Sequence, residues 1–495
     1  MNGIDNLQSG TKPGTDAPPG SDVTISPASF RDPAGFVFKR DGVLLRQINQ
    51  ACRAHYDQLM TSGLYEALTK RGWLVTHDEW DPATAVTMDA YKVVRPALID
   101  FISYPYEWSF SQLQDAALLT LDVQLLALEH GMSLKDASAY NVQFQQGKPM
   151  LIDTLSFESY NEGLPWVAYR QFCQHFLAPL ALMARTDIRL NQLLRTNIDG
   201  VPLDLASKLL PRSTRWRLGL AMHIHWHARS QQAHSSTEGA QPKRSVKVSR
   251  VGLVGLLQSL RSITEKLSWD PAGTEWGEYY QATNYSDTAF DHKQKLVSEY
   301  LASISPKRVW DLGANTGVFS RIASSGGAST VAFDIDPAAV ESNYRQAKRD
   351  AGPQPLPLLL DLTNPSPGLG WSGTERDSLV SRGPVDCAMA LALIHHLAIS
   401  NNVPLVKVAE FMSQVCEHLI IEFVPKADSQ VKRLLSARED VFDEYDQGHF
   451  EAAFSKYFHI LRAESVQGTE RTLYLLQNSF RRDAAVTSRS ATEAP

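Results

Sequence analysis

The stretch RVWDLGANTGVFSRIASSGGASTVAFDID, residues 308–336, decides the fold. Residues 309–312 are an apolar run of the kind a buried strand needs, 313–317 make a tight turn bounded by glycines, and 318–323 open a helix. The free N–H groups of that helix face whatever lies over the turn, and glycine lets a ligand approach the backbone closely. A second apolar strand over 330–333 ends at Asp334. In a doubly wound sheet an acid in that place accepts hydrogen bonds from ribose hydroxyls, so the unit predicts a nucleoside site.

The glycine spacing narrows the choice of nucleoside. A dinucleotide fingerprint reads G-x-G-x-x-G, whereas here Gly313 and Gly317 enclose three residues and Asp311 lies two before the first glycine. This pattern resembles motif I of the class I S-adenosylmethionine-dependent methyltransferases. The resemblance continues in family order through FDID around Asp334, LLLDLTN around Asp361, DCAMALALIHHL (386–397) and HLIIEFVPK (418–426). It implies a seven-stranded, doubly wound, Rossmann-like sheet with S-adenosylmethionine as the cofactor. It also implies that Gly313, Asn315 and Gly317 form the turn, with Asp311 at the methionine end and Asp334 on the ribose. Asp361 then meets the adenine edge, and Leu391 and Ala392 lie beside the ligand. Asn315 stands where many members carry a third glycine.

Methyl transfer asks mainly for donor and acceptor held in contact away from water, so a general base is optional. His395 and His396, just past the fourth strand, are the candidates to take a proton from a hydroxyl or amine acceptor. The plainer alternative is that one packs at a helix start and the other faces solvent. No Asn/Asp-Pro-Pro-Tyr signature follows the fourth strand, which disfavours exocyclic base nitrogens as acceptors. EWGEYYQATNYSD (275–287) suits either a lid over the ligand or ordinary packing.

A chain of 495 residues exceeds what one core usually organises, so two bodies are expected. Residues 1–28 have the composition of a disordered tail, 29–228 form an N-terminal α+β domain, and 229–247 read as a linker or loop. Residues 248–480 form the methyltransferase domain with a helical N-terminal extension, and 481–495 form a second disordered tail. The formal charge of -6 makes no whole-chain case for nucleic acid, although a local basic patch is compatible with it. No apolar run approaches the ~20 residues of a membrane span. Four scattered cysteines without a CxxC pair fit a reducing cytoplasm.

The N-terminal body carries its own constellation. A long apolar helix over 118–130 precedes SLKDASAYNVQF and a hairpin turning at 145–148. The spacing resembles the core of protein kinases and aminoglycoside phosphotransferases, which implies that Asp136, Asn141 and Asp153 are weak candidates for Mg²⁺ and phosphate. Lys92 then stands for the nucleotide lysine. SLKD replaces His-Arg-Asp, Thr154-Leu155 replaces Phe-Gly, and no glycine-rich loop is evident. His223, His225 and His227 alternate, but the surrounding residues look helical, which splays them apart, and no metal site is assigned. Residues 163–184 are strongly aromatic and read as core or as the wall of a substrate pocket.

FRDPAGFVF, SYPYEWSF, DASAYNVQF and IDTLSFESY, followed by the methyltransferase motifs, resemble the bacterial NoeA-type nodulation proteins over nearly the whole length. The leading expectation is a cytoplasmic methyltransferase acting on a small molecule, a saccharide-type conjugate or a protein. The alternatives are a phosphotransferase in the N-terminal body and a non-catalytic ligand-binding scaffold. Oligomeric state is not legible.

Overall fold

The structure is a computed structural model, and it describes residues 22–227, 247–271, 287–436 and 439–480. Most of the expected tails, nearly all of the expected linker and all but the last residue of the lid-or-packing segment 275–287 lie outside these residues.

The N-terminal sheet has five strands, β1 (Val23–Ile25), β2 (Gly35–Arg40), β3 (Val43–Asn49), β4 (His77–Glu79) and β5 (Ala90–Pro96), in the order β1-β2-β3-β5-β4. All its pairings are antiparallel. Asp41 and Gly42, both at positive φ, close the β2–β3 hairpin as a two-residue turn requires. Order therefore begins earlier than the expected boundary at 28. β1 pairs with β2 from within that polar tail, because an edge strand needs only backbone partners.

A 20-residue helix, Phe110–Glu129, follows, capped by Ser109 with Gln112 reaching back. Then come the short pairs β6 (Met132–Leu134) with β9 (Phe157–Ser159), and β7 (Val142–Gln145) with β8 (Lys148–Leu151). The β7–β8 turn falls at Gln146 and Gly147, within the expected 145–148.

The C-terminal sheet comprises β10 (Arg308–Leu312), β11 (Ser329–Asp334), β12 (Leu356–Leu359), β13 (Val385–Ala390), β14 (Cys416–Phe423), β15 (Phe458–Ser465) and β16 (Thr472–Asn478). Its order is β12-β11-β10-β13-β14-β16-β15. β10 to β14 are mutually parallel and β16 runs antiparallel to both its neighbours. The chain steps outward from β10 to β12 and then returns to β13 on the other side of β10, which makes the β10/β13 boundary the switch point where such sheets open a crevice.

The two bodies share one core. Phe101 stacks edge-on against Trp310 and Phe333 on the sheet, each 5.9 Å away. Arg382 donates to Glu107 at 2.9 Å with both side chains buried, and Glu341, fully buried, accepts from Ser111 N at 2.9 Å. The Arg250–Lys266 helix, counted with the second body on sequence, packs on the Phe110–Glu129 helix of the first: Arg261 pairs with Asp122 at 2.7 Å. No described helix is long and apolar enough to cross a membrane.

Candidate active site

Over the C-terminal ends of β10, β11 and β13 lies a cleft of about 490 Å³. Asp311, Gly313, Asn315, Asp334, Asp361, Leu391, Ala392 and His396 all line it. Of the expected residues, Gly317 and His395 do not.

The turn explains its own sequence. Gly313 sits at φ 78°, and its N–H and that of Ala314 both donate to Phe333 O at 2.9 Å, tying the loop to β11. Asn315 holds a left-handed φ of 49°, a region asparagine tolerates better than most side chains, so the third glycine is dispensable here. Its N–H donates to Asp334 Oδ2 at 2.7 Å. Gly317 has a different duty. A Cβ there would come within 2.4 Å of Asn343 on the neighbouring Pro337–Arg349 helix, so glycine serves packing rather than the ligand.

Two carboxyl groups sit buried in the cleft wall. Asp311 accepts from Ser320 Oγ at 2.6 Å, and burial, with the charge of Asp334 adding to it, pushes its pKa up to about 7. Burial likewise raises Asp334 to about 6, against the N–H groups of Asp336 and Asn315 that it accepts from. Half-buried Asp361 accepts from Thr363 N at 2.8 Å and from its hydroxyl at 2.6 Å.

The histidines separate. His396 lines the cleft, and burial lowers its pKa to about 4, which keeps it neutral near pH 7. His395 is buried away from the cleft, with its ring 4.2 Å from that of His396 and neither ring nitrogen hydrogen-bonded.

Several lining residues escaped the sequence reading. Phe290, on the Asp287–Ile304 helix, and Phe319 meet edge-to-face at 5.8 Å, while Ile335, 60% exposed, projects just past Asp334. Lys293 lies 5.0 Å over the Phe319 ring and pairs with Glu422 at 2.6 Å, both buried. The same Glu422 oxygen accepts from Ala392 N at 2.8 Å and so fixes a left-handed alanine, φ 51°, beside the cleft. Ile335 immediately follows Asp334 and lay inside the FDID segment. Glu422 likewise lay inside the HLIIEFVPK segment, whereas Lys293 carried no such signal.

The weaker constellation is also brought together. Asn141 donates to Ser156 Oγ at 3.3 Å, Ser156 donates to Asp153 at 2.6 Å, and Asp136 lies close enough for the charge of Asp153 to raise its pKa beyond what burial does. Arg46 from β3, however, sits 2.5 Å from Asp153. Burial alone would raise the Asp153 carboxyl, but Arg46, Ser156 and Leu155 N hold it below its usual range. Lys92 pairs with Glu79 on the neighbouring strand. Among the described residues no group of three or more His, Cys, Asp or Glu is placed to hold a metal. His223 bonds Tyr169 Oη at 2.8 Å, and His225 bonds Ser207 at 2.8 Å and Thr214 at 2.9 Å.

No family model matches the chain. It is 36% identical over 457 residues to the nodulation protein NoeA of Rhizobium meliloti (strain 1021), covering 91% of this chain and 95% of that protein. Among solved structures it is similar to magnesium protoporphyrin IX methyltransferase (ChlM) from Synechocystis PCC 6803 with bound SAH, at 18% identity over 41% of this chain and 93% of that one, TM-score 0.30. The N-methyltransferase NodS from Bradyrhizobium japonicum WM9 in complex with S-adenosyl-L-homocysteine is similar at 11% identity over 41% and 96% of the two chains, TM-score 0.30. Both structural likenesses are distant.

Proposed function

The chain belongs to the family of the nodulation protein NoeA, and from that premise we propose that it is an S-adenosylmethionine-dependent methyltransferase. The observation that carries the reading is the convergence of Asp311, Gly313, Asn315, Asp334, Asp361, Leu391 and Ala392 on one cleft at the switch point of a doubly wound sheet. The residues fit the ligand chemically. Asp311 and Asp334 are buried carboxyls whose ionised forms need donors or positive charge, and a nucleoside with a cationic tail brings both.

Asp334 accepts the ribose hydroxyls, Asp311 faces the ammonium at the methionine end, and Asp361 meets the adenine edge. Ile335 and Leu362 cover the base, and Leu391 and Ala392 flank the ligand. Bound there, S-adenosylmethionine supplies an activated, electrophilic methyl group. His396, neutral and on the cleft wall, takes a proton from a hydroxyl or amine acceptor, and Leu393 and Leu397 exclude water. His395 sits behind His396 and does not reach the acceptor.

Residues 248–480 form the catalytic domain in this reading, and 29–228 position the acceptor: a small molecule, a saccharide-type conjugate or a protein, not a nucleic acid. Four buried cysteines suit a cytoplasmic enzyme. The phosphotransferase alternative finds no support, because Arg46 occupies the carboxylate that Mg²⁺ would need. Calorimetry with S-adenosylhomocysteine is expected to give a micromolar constant, roughly -8 kcal/mol. Gly313→Val, which forces a β-branched residue to φ 78° against Leu393, abolishes that binding with an unaltered circular dichroism spectrum. Retained affinity in the variant would place the ligand elsewhere.

A further inference from the structure

We propose that residues 212–227, with the first turn of the Arg250–Lys266 helix, form a docking face for an anionic lipid bilayer. Trp216 is 91% exposed, Val251 83%, Leu218 69% and Trp226 53%. Leu218, Met222 and Trp226 recur every fourth residue along one helical side, while Leu220 and Ile224 between them are buried. The exposed side is anchored from behind. His225 is held by Ser207 and Thr214, and His223 bonds Tyr169 and, at 3.4 Å, Ser259 of the Arg250–Lys266 helix.

Gly219 abuts Ile263, four residues beyond Ser259, so the two segments run antiparallel. One further turn brings Trp226 to the level of Gly255, with Val251 a turn beyond, and these two border a shallow groove with Arg250, Val254 and Gln258. Leu218, Met222 and Trp226 thus share one side of their segment, and Val251 and Val254 continue it along the groove.

Within residues 205–227 the charges have one sign, while Glu129, Glu162 and Glu265 stand on the neighbouring segments. Arg212, Arg215 and Arg217 are exposed, Lys247 and Arg250 flank Val251, and residues 205–227 contain no acid. Among the described residues none of the three exposed arginines makes an ion pair. Arg217 even faces another arginine, Arg185, whose pKa is lowered first by burial and then by that neighbour. This basic face belongs to a chain of net charge -6, so an anionic surface repels the rest of the molecule and attracts it here.

Exposed tryptophans flanked by arginines are what a headgroup layer accommodates: rings at the interface, aliphatic side chains below, guanidinium groups on the phosphates. An RNA strand would match the arginines and stack on the tryptophans, yet offers nothing to Leu218, Met222 and Val251. A second copy meeting this face across a two-fold axis would set arginines against arginines.

The test is co-sedimentation of the full chain with phosphatidylcholine vesicles, neutral or containing about one third phosphatidylglycerol. The expected result is binding to the anionic vesicles only, weakened by salt. Arg212→Gln, Arg215→Gln and Arg217→Gln should each cost about fivefold, and Trp216→Ser with Trp226→Ser about tenfold or more. Unchanged binding of S-adenosylhomocysteine or an unchanged circular dichroism spectrum checks that each variant is folded. The proposal is overturned if the chain ignores anionic vesicles or if the variants bind them as well as wild type. It is equally overturned if the face instead captures single-stranded RNA without vesicles, or mediates a dimer that Trp216→Ser dissolves.

Discussion

Asp334 and Asp153 look alike in sequence, each an acid at the end of an apolar strand, and the protein treats them oppositely. Asp334 accepts from the backbone N–H groups of Asn315 and Asp336, and burial drives its pKa up to about 6. Asp153 is met by a guanidinium, and its pKa falls. A carboxylate kept from internal cations retains capacity for an external donor, whereas a carboxylate already neutralised is part of the framework. By that criterion the C-terminal cleft is built to bind and the N-terminal cluster is built to hold.

The largest expected effect that sharpens this contrast is on Asp153→Asn. It strands Arg46 and should cost about 3 kcal/mol of stability, read as a lower unfolding midpoint, with no loss of S-adenosylmethionine affinity. A wild-type thermal shift with ATP–Mg²⁺ that the variant loses would break the comparison. Asp334→Asn should do the converse. It keeps a carbonyl oxygen for Asn315 or Asp336 but deprives ribose of a charged acceptor, for about 2 kcal/mol of affinity by calorimetry and little change in unfolding.

The third effect is a pH profile. Asp311 and Asp334 have folded pKa values above the unfolded carboxylate value near 4, so they stabilise the free protein most below that value, and this contribution is lost as pH rises through about 6 and 7. A cationic ligand prefers them ionised. Affinity for S-adenosylmethionine should therefore fall as pH is lowered through 7, approaching about tenfold per pH unit, and Asp311→Asn should flatten the curve. A flat wild-type profile would mean that no cation lies at Asp311. The smallest effect, about 1 kcal/mol of affinity, is expected for Asp361→Asn, because Asp361 is already tethered by Thr363 and partly solvated.

Much of the cleft was legible because its lining residues sit at strand ends, where an apolar run meets glycine or acid within a few residues. Asp311, Gly313, Asn315, Asp334 and Asp361 all follow that rule. Gly317 obeyed it too, yet its neighbour is Asn343, a packing partner no local pattern announces. The pairing of Lys293 with Glu422 was invisible for a related reason. Glu422 stood inside the apolar HLIIEFVPK segment, but Lys293 lies 129 residues away and reads alone as a surface charge until the fold buries the pair. β1 was missed because hydrophobic periodicity detects strands that bury a face, and this one is held by backbone pairing at an edge. The histidines were legible as neighbours and not as a pair with separate fates, since which of two consecutive residues faces a cavity depends on the last turn of backbone before them.

The joint core of the two bodies also bears on how such a chain is inherited. A gene stripped of its first half would encode a sheet whose Trp310 and Phe333 lose the ring of Phe101, and whose Arg382 keeps its charge but not Glu107. Recombination that trades one half for an unrelated one meets the same obstacle, because Glu341 and Arg382 would face strangers. The two halves are therefore bound to drift together, each constraining which substitutions the other can fix, and the lineage should carry them as a single heritable unit.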